Sequence, residues 1–277
     1  MTFLPIVDRE LRVTARRRSI YRVRLAVALT AMVLAGIILV VNLGAPQHQL
    51  GRHVFEGLSV LSFIYCLFSG RISTADCLSE EKREGTLGLL FLTDLKGYDV
   101  VLGKLAATSV SAFYGLLAVL PVLAVPLLLG GITNAEFWRV ALVLVNTFLL
   151  SLAIGIFGSA LSRDARRAMA ANLALGLLLM AVLPAVTAAV IYFAGRPVRP
   201  EAFMPCPVYS FYLCDEARYK AEPHHFWWSV AVIHLLTWLL LALTACIVPR
   251  TWQDNPAPAV RSATLSSAGS TETAAGV

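Results

Sequence analysis

A chain of 277 residues that is 58% hydrophobic and only 14% charged, with mean hydropathy +0.73, is too apolar for an ordinary soluble domain, so a bilayer is its main solvent. The net charge of +6 and pI ≈ 9.2 would suit nucleic acid, but the basic residues flank apolar runs and an anionic leaflet accounts for them more simply. No nucleic-acid partner is expected.

In residues 1–24, Leu4, Val7, Leu11 and Ala15 recur at helical spacing while Arg9, Arg12 and Arg16 fall on the opposite face, with Pro5 suited to a first helical turn. The pattern predicts an amphipathic helix on the membrane surface that breaks near Arg17 and Arg18. A basic flank obeying the positive-inside rule fits the same residues. The apolar run that follows is long enough to span, so it reads as a retained helix rather than a cleaved leader.

Six spans are predicted, at 25–43, 54–71, 101–130, 137–161, 169–194 and 226–248, which makes the chain an all-α polytopic membrane protein. The second is the weakest, with Glu56, Ser59 and Ser62 in a run flanked by Arg52 and Arg71. Of the 23 Lys and Arg, 17 fall on the side holding residues 1–24, the 71–104 segment, the 162–168 loop and the tail, and six on the other. By the positive-inside rule both termini are cytoplasmic.

Within the spans, Pro121, Pro126 and Pro184 are expected to kink their helices, and Gly155 and Gly158 to admit a neighbouring backbone. Asn146, Asn172 and His234 are the most polar side chains inside the apolar runs, and interhelical hydrogen bonding is their expected role. No Asp, Glu or Lys lies mid-span, which argues against an ion-coupled carrier. The external segment 195–225 is aromatic, and PCPVYSFYL is expected to form short helices there. It also holds Cys206 and Cys214, for which a disulfide is open if that side is oxidising. The stretch 249–277, rich in Pro, Ala, Ser, Thr and Gly, reads as a disordered cytoplasmic tail.

The segment with the most distinctive chemistry is the 73–100 loop, and within it SEEKREGTLGLLFLTDLKGYDVVLGK from Ser79 to Lys104. Ser73 and Asp76 resemble a capping arrangement, although the second span could simply run on through Glu84. Gly85 offers a helix stop and Thr86 an N-cap for a short helix through Leu87 and Leu90, and Asp99 could cap the third span. Those leucines, edged by Glu80, Glu81, Lys82, Arg83 and Glu84, form an apolar patch with a charged rim, as protein interfaces do. A solvated charge run beside an interfacial helix whose leucines lie on lipid fits the residues equally well.

LPIVDRELRVTARRR at the start, EEKREGTLGLLFLTDL with VVLGKL in the middle, EFWRVALVLVNTFLLSLAIG, LSRDARRAMA and the closing FWWSV and PRTWQD together resemble the membrane subunits of type 2 ATP-binding-cassette exporters. The resemblance samples nearly the whole chain except the tail, and EKREGTL is its most specific piece. It implies that the segment after the second span enters a groove on a separate ATPase subunit as a coupling helix, with Glu81, Arg83, Gly85, Thr86 and Leu87 as the positions carried over. Many relatives have Glu where this chain has Gly88. The resemblance also implies a second permease subunit, identical or homologous, and a bacterial cytoplasmic membrane.

The chain itself is not expected to hydrolyse ATP. A phosphate-binding loop needs G-x-x-x-x-G-K followed by Ser or Thr, and the nearest match, Gly103-Lys104, has Leu105 after it and Tyr98 where the first Gly belongs. No cofactor or metal is expected in this chain, and ATP and magnesium would bind the partner ATPase. An ATPase-driven complex doing mechanical or envelope-assembly work is the alternative to export; a secondary carrier or an intramembrane enzyme fits less well.

Overall fold

The computed structural model describes residues 18–84, 97–162, 164–194 and 200–251, and among these the chain is helical throughout, without a strand. Helix α1 covers Arg18–Val41, α2 Gln47–Thr74, α3 Cys77–Glu84, α4 Gly97–Leu129 and α5 Asn134–Leu161. After α6 (Ala165–Leu177) a π turn at Leu178–Val182 leads into α7 (Leu183–Phe193). A 3₁₀ turn at Pro200–Phe203, then α8 (Pro207–Tyr212) and α9 (Glu216–Ala221), precede the long α10 (Pro223–Thr251).

Among the described residues five stretches are long and apolar enough to cross a membrane: Gln47–Glu84, Ala112–Leu129, Asn134–Leu161, Ala165–Phe193 and Pro223–Arg250. The weak second span is among them. Its serines are satisfied locally, Ser59 donating to the Glu56 carbonyl and Ser62 to that of Leu58, and Glu56 pairs with Arg52 one turn away. The first expected span falls short of this measure. Its helix already starts at Arg18, so Arg22 and Arg24 occupy its early turns and only Leu25–Val41 is apolar. The amphipathic segment 1–17 and the tail beyond 251 lie outside the described residues.

Helix α5 is the centre of the bundle, with Leu144, Phe148, Leu152, Ile154 and Ile156 almost wholly enclosed by α2 and α10. Small residues permit this close approach. A Cβ on Gly70 would sit 2.8 Å from the Leu152 nitrogen, and one on Gly155 would sit 3.0 Å from the Arg71 Cα. On the other flank a Cβ on Gly158 would press on the Asn172 amide, so both glycines expected to admit a neighbour do so. Between α4 and α5 the chain reverses at Gly130 (φ +78°) and Gly131 (φ +96°), a conformation that favours glycine.

Pro121 and Pro126 lie within α4. Pro184 sits at the start of α7 directly after the π turn, where its missing N–H leaves the carbonyl four residues earlier, Met180, without a helical donor. The Cys206 thiol donates to that carbonyl at 3.5 Å, tying the segment before α8 to the helix at its π turn.

Two of the three polar span residues meet. The Asn146 side chain donates to the Val230 carbonyl (3.0 Å), which leaves its oxygen facing His234 Nδ1 at 3.1 Å. Trp238 Nε1, which can only donate, bonds His234 Nε2 at 3.0 Å. His234 is therefore the neutral tautomer carrying its proton on Nδ1, which bridges α10 to α5, while the Nε2 bond to Trp238 stays within α10. Asn172 lacks such a partner: it is buried against Gly158, and its amide makes no hydrogen bond among the described residues.

Candidate partner-coupling site

The charged island begins where α2 gives way to α3. Thr74 ends the first helix, Ala75 keeps a helical backbone (φ −57°, ψ −34°), and the hydrogen-bond ladder restarts with the Glu80 N–H on the Asp76 carbonyl at 2.9 Å. Such a restart leaves the first amides of α3 without partners. Asp76 is the natural local cap, but its carboxylate is held by the Arg83 guanidinium, at 3.0 and 2.8 Å, and by the Ser79 hydroxyl. The cap comes instead from another helix: Ser159 Oγ of α5 accepts both the Leu78 and the Ser79 N–H at 2.9 Å. Asp76 thus pairs with Arg83 rather than joining Ser73 in a cap. Asp99 lies inside the first turn of α4, which starts at Gly97, rather than capping it.

Two further ties hold α3. Lys104 of α4 pairs with Glu81 at 2.6 Å, with both side chains largely enclosed (11% and 19% exposed), and the Lys82 ammonium donates to the Ala160 carbonyl at the end of α5. Glu81 and Lys82 thus bind α3 to the bundle, while Glu80, Arg83 and Glu84 are exposed and Arg83 closes back on Asp76. Gly85, Thr86, Leu87 and Leu90, the expected turn and short helix, lie outside the described residues, as do Arg9, Arg12 and Arg16.

Ser159 was not recognisable as part of this site. In FGSAL it reads as a small packing residue, and its partners are 80 and 81 positions away. Arg71, expected to flank the second span on the more basic side, is instead drawn into the bundle. It is buried (7% exposed) beneath the side-chain-free Gly176, 3.6 Å from Met180 Sδ and 5.9 Å from the Phe68 ring.

The opposite end is closed by α8 and α9. Arg52 pairs with Glu56 (3.0 Å) and Asp215, and Asp215 caps α9 through the Ala217 and Arg218 amides. Arg139 pairs with Glu216, donates to the Cys214 carbonyl (3.2 Å) and lies 4.2 Å over the Tyr219 ring. The Arg139 hydrogen bond, with those from Lys220 and Thr133, pushes the Glu216 carboxyl down to about 2. Cys206 and Cys214 are both free and buried, so the open disulfide is not formed. Their thiols donate to Met180 and Ser210 carbonyls respectively, and burial pushes both pKa values up.

Compared with known proteins, the chain matches no family model and no curated protein. Its length, composition and helices make it a multi-pass helical membrane protein.

Proposed function

We propose that the chain is the permease subunit of an ATP-driven ABC exporter in a bacterial cytoplasmic membrane. On this reading Leu25–Val41 is a sixth span beside the five candidates, both termini are cytoplasmic, and the chain pairs with a second permease subunit and is driven by a separate ATPase that carries the ATP and magnesium. The observation that supports this most is the mounting of α3. Directly before residues 85–96, the chain is fastened to α4 through Lys104 and to α5 through Ser159 and Ala160. A segment meant to pass a partner's movement into a membrane bundle needs such a mounting, whereas a solvated charge run does not. The sequence's asymmetry of 17 basic residues against six supports putting that end in the cytoplasm. Only a partner that binds two states of the pair differently can drive it, and an ATPase closing on nucleotide supplies that difference.

The test is co-purification of the full chain with the ATPase encoded beside it. Gly85→Pro and Leu87→Asp should insert normally in the membrane, yet lose the ATPase and transport. If both variants retain the ATPase and transport, the coupling assignment is wrong.

A further inference from the structure

At the end remote from α3, the α2, α5, α8 and α9 elements line an open-sided pocket of about 450 Å³ whose walls include Glu136, Arg52, Arg218, Val140, Phe55 and Tyr212. Glu136 is the unexpected member. The Thr133 hydroxyl caps the Glu136 N–H at 3.1 Å, the arrangement in which a glutamate normally reaches back to the cap's own N–H. Here that return bond is absent. The residue is only 6% exposed, and its carboxylate makes no hydrogen bond or ion pair among the described residues. The neighbouring charges are already engaged: Arg52 holds Glu56 and Asp215, and Arg139 holds Glu216. Arg218, also on the lining, is turned onto the Tyr212 ring at 3.6 Å and the Tyr212 carbonyl. A largely buried carboxylate whose nearest cations, Arg52 and Arg139, are committed to other acids is costly to keep, and a cation of its own would relieve that cost.

The lining also indicates which cation. Among the described residues no three His, Cys, Asp or Glu converge closely enough to hold a metal ion. The lining mixes Phe55, Val140, Phe211 and Tyr212 with charged groups, and because Arg52 is tied to its own acids and Arg218 to Tyr212, Glu136 is the carboxylate left to an ammonium group on an apolar body, with ring faces as additional partners for the charge. We propose that this cavity binds an organic ammonium compound, with Glu136 as its counter-ion. The site lies in a single protomer, far from the α3 mounting, and does not depend on an ATPase partner.

The test uses the full-length chain in nanodiscs of phosphatidylglycerol, with calorimetric titration of 3-phenylpropylammonium and its uncharged isostere 3-phenylpropanol. The ammonium compound should bind at least tenfold more tightly than the alcohol, and Glu136→Gln should erase that preference. Val140→Phe, which fills the cavity without touching the charge, should weaken both compounds. In the absence of ligand, Glu136→Gln should unfold at a higher temperature than the native chain, because it removes an uncompensated charge. Equal binding of the two compounds, a preference that survives in Glu136→Gln, or a lower unfolding temperature for that variant would each overturn the proposal. Repeating the titration in phosphatidylethanolamine identifies the source of the ammonium. Competition by that lipid assigns the cavity to a lipid headgroup, and unchanged binding assigns it to a soluble amine; either result supports the ammonium site.

Discussion

Replacing Ser159 with alanine tests the mounting of α3 directly. The hydroxyl is fully buried and accepts the Leu78 and Ser79 N–H groups, both at 2.9 Å, while donating to Ser79 Oγ at 3.4 Å. Its removal strands two enclosed donors, each costing about 1–3 kcal/mol. Because Asp76 stays engaged with Arg83, no local cap replaces it, and we expect a total near 2–4 kcal/mol. Even the lower figure corresponds to roughly 30-fold faster opening of the first turn of α3. Hydrogen–deuterium exchange of the full chain in nanodiscs, followed on peptides covering 75–84, reads this directly. Ser159→Cys, which keeps a weaker acceptor, should fall between native and alanine. If the 75–84 peptides of Ser159→Ala exchange at the native rate, α3 is held by something other than this cap.

Gly155→Leu should cost several kcal/mol, since even a Cβ there meets the Arg71 Cα at 3.0 Å and the helices cannot separate without breaking the α2–α5 seam; a thermal midpoint near the native value would refute this. For the Asn146–His234 pair, a double-mutant cycle with alanine should give a coupling of about 0.6–1.7 kcal/mol, and a value near zero would mean the bridge contributes nothing to stability. The Glu216 pair should be pH-dependent. Its folded pKa of about 2 lies below the ordinary 4.5, so its contribution is complete above about 4.5 and is lost as the pH falls through that window toward 2. Exchange protection of α9 should therefore fall across that range, and Arg139→Gln should flatten the dependence.

The apolar runs are legible because burial in lipid demands long hydrophobic helices. Even the doubtful second span follows that rule, once Ser59 and Ser62 bond their own backbone and Glu56 pairs with Arg52. The small-residue contacts at Gly155 and Gly158 are legible for a similar reason, since few other roles require glycine inside a span. The partners of the polar groups are not. Nothing local links Asn146 to His234, 88 positions apart, or Ser159 to α3, because these pairings depend on how whole helices rotate about their axes. The charged island shows the same limit: its residues read as a rim, whereas Glu81 pairs with the Lys104 ammonium, Lys82 with the Ala160 carbonyl and Arg83 with the Asp76 carboxylate. The first span illustrates another: hydropathy locates its apolar part, but not a helix that has already begun at Arg18.

The uninterrupted length of α5 has a mechanical consequence. Its 28 residues form a rod of roughly 40 Å, with Ser159 and Ala160 at one tip and Thr133, Glu136 and Arg139 at the other. Midway, Asn146 pins it to α10, and near Gly155 it rests closely against α2, with the Thr74 hydroxyl bonding the Leu152 carbonyl. A rod so constrained has little freedom to bend, so a push at one tip displaces the other. Measurements on variants at either tip are therefore best made at both, because strain introduced beside α3 reaches the α9 cap along the same piece of backbone.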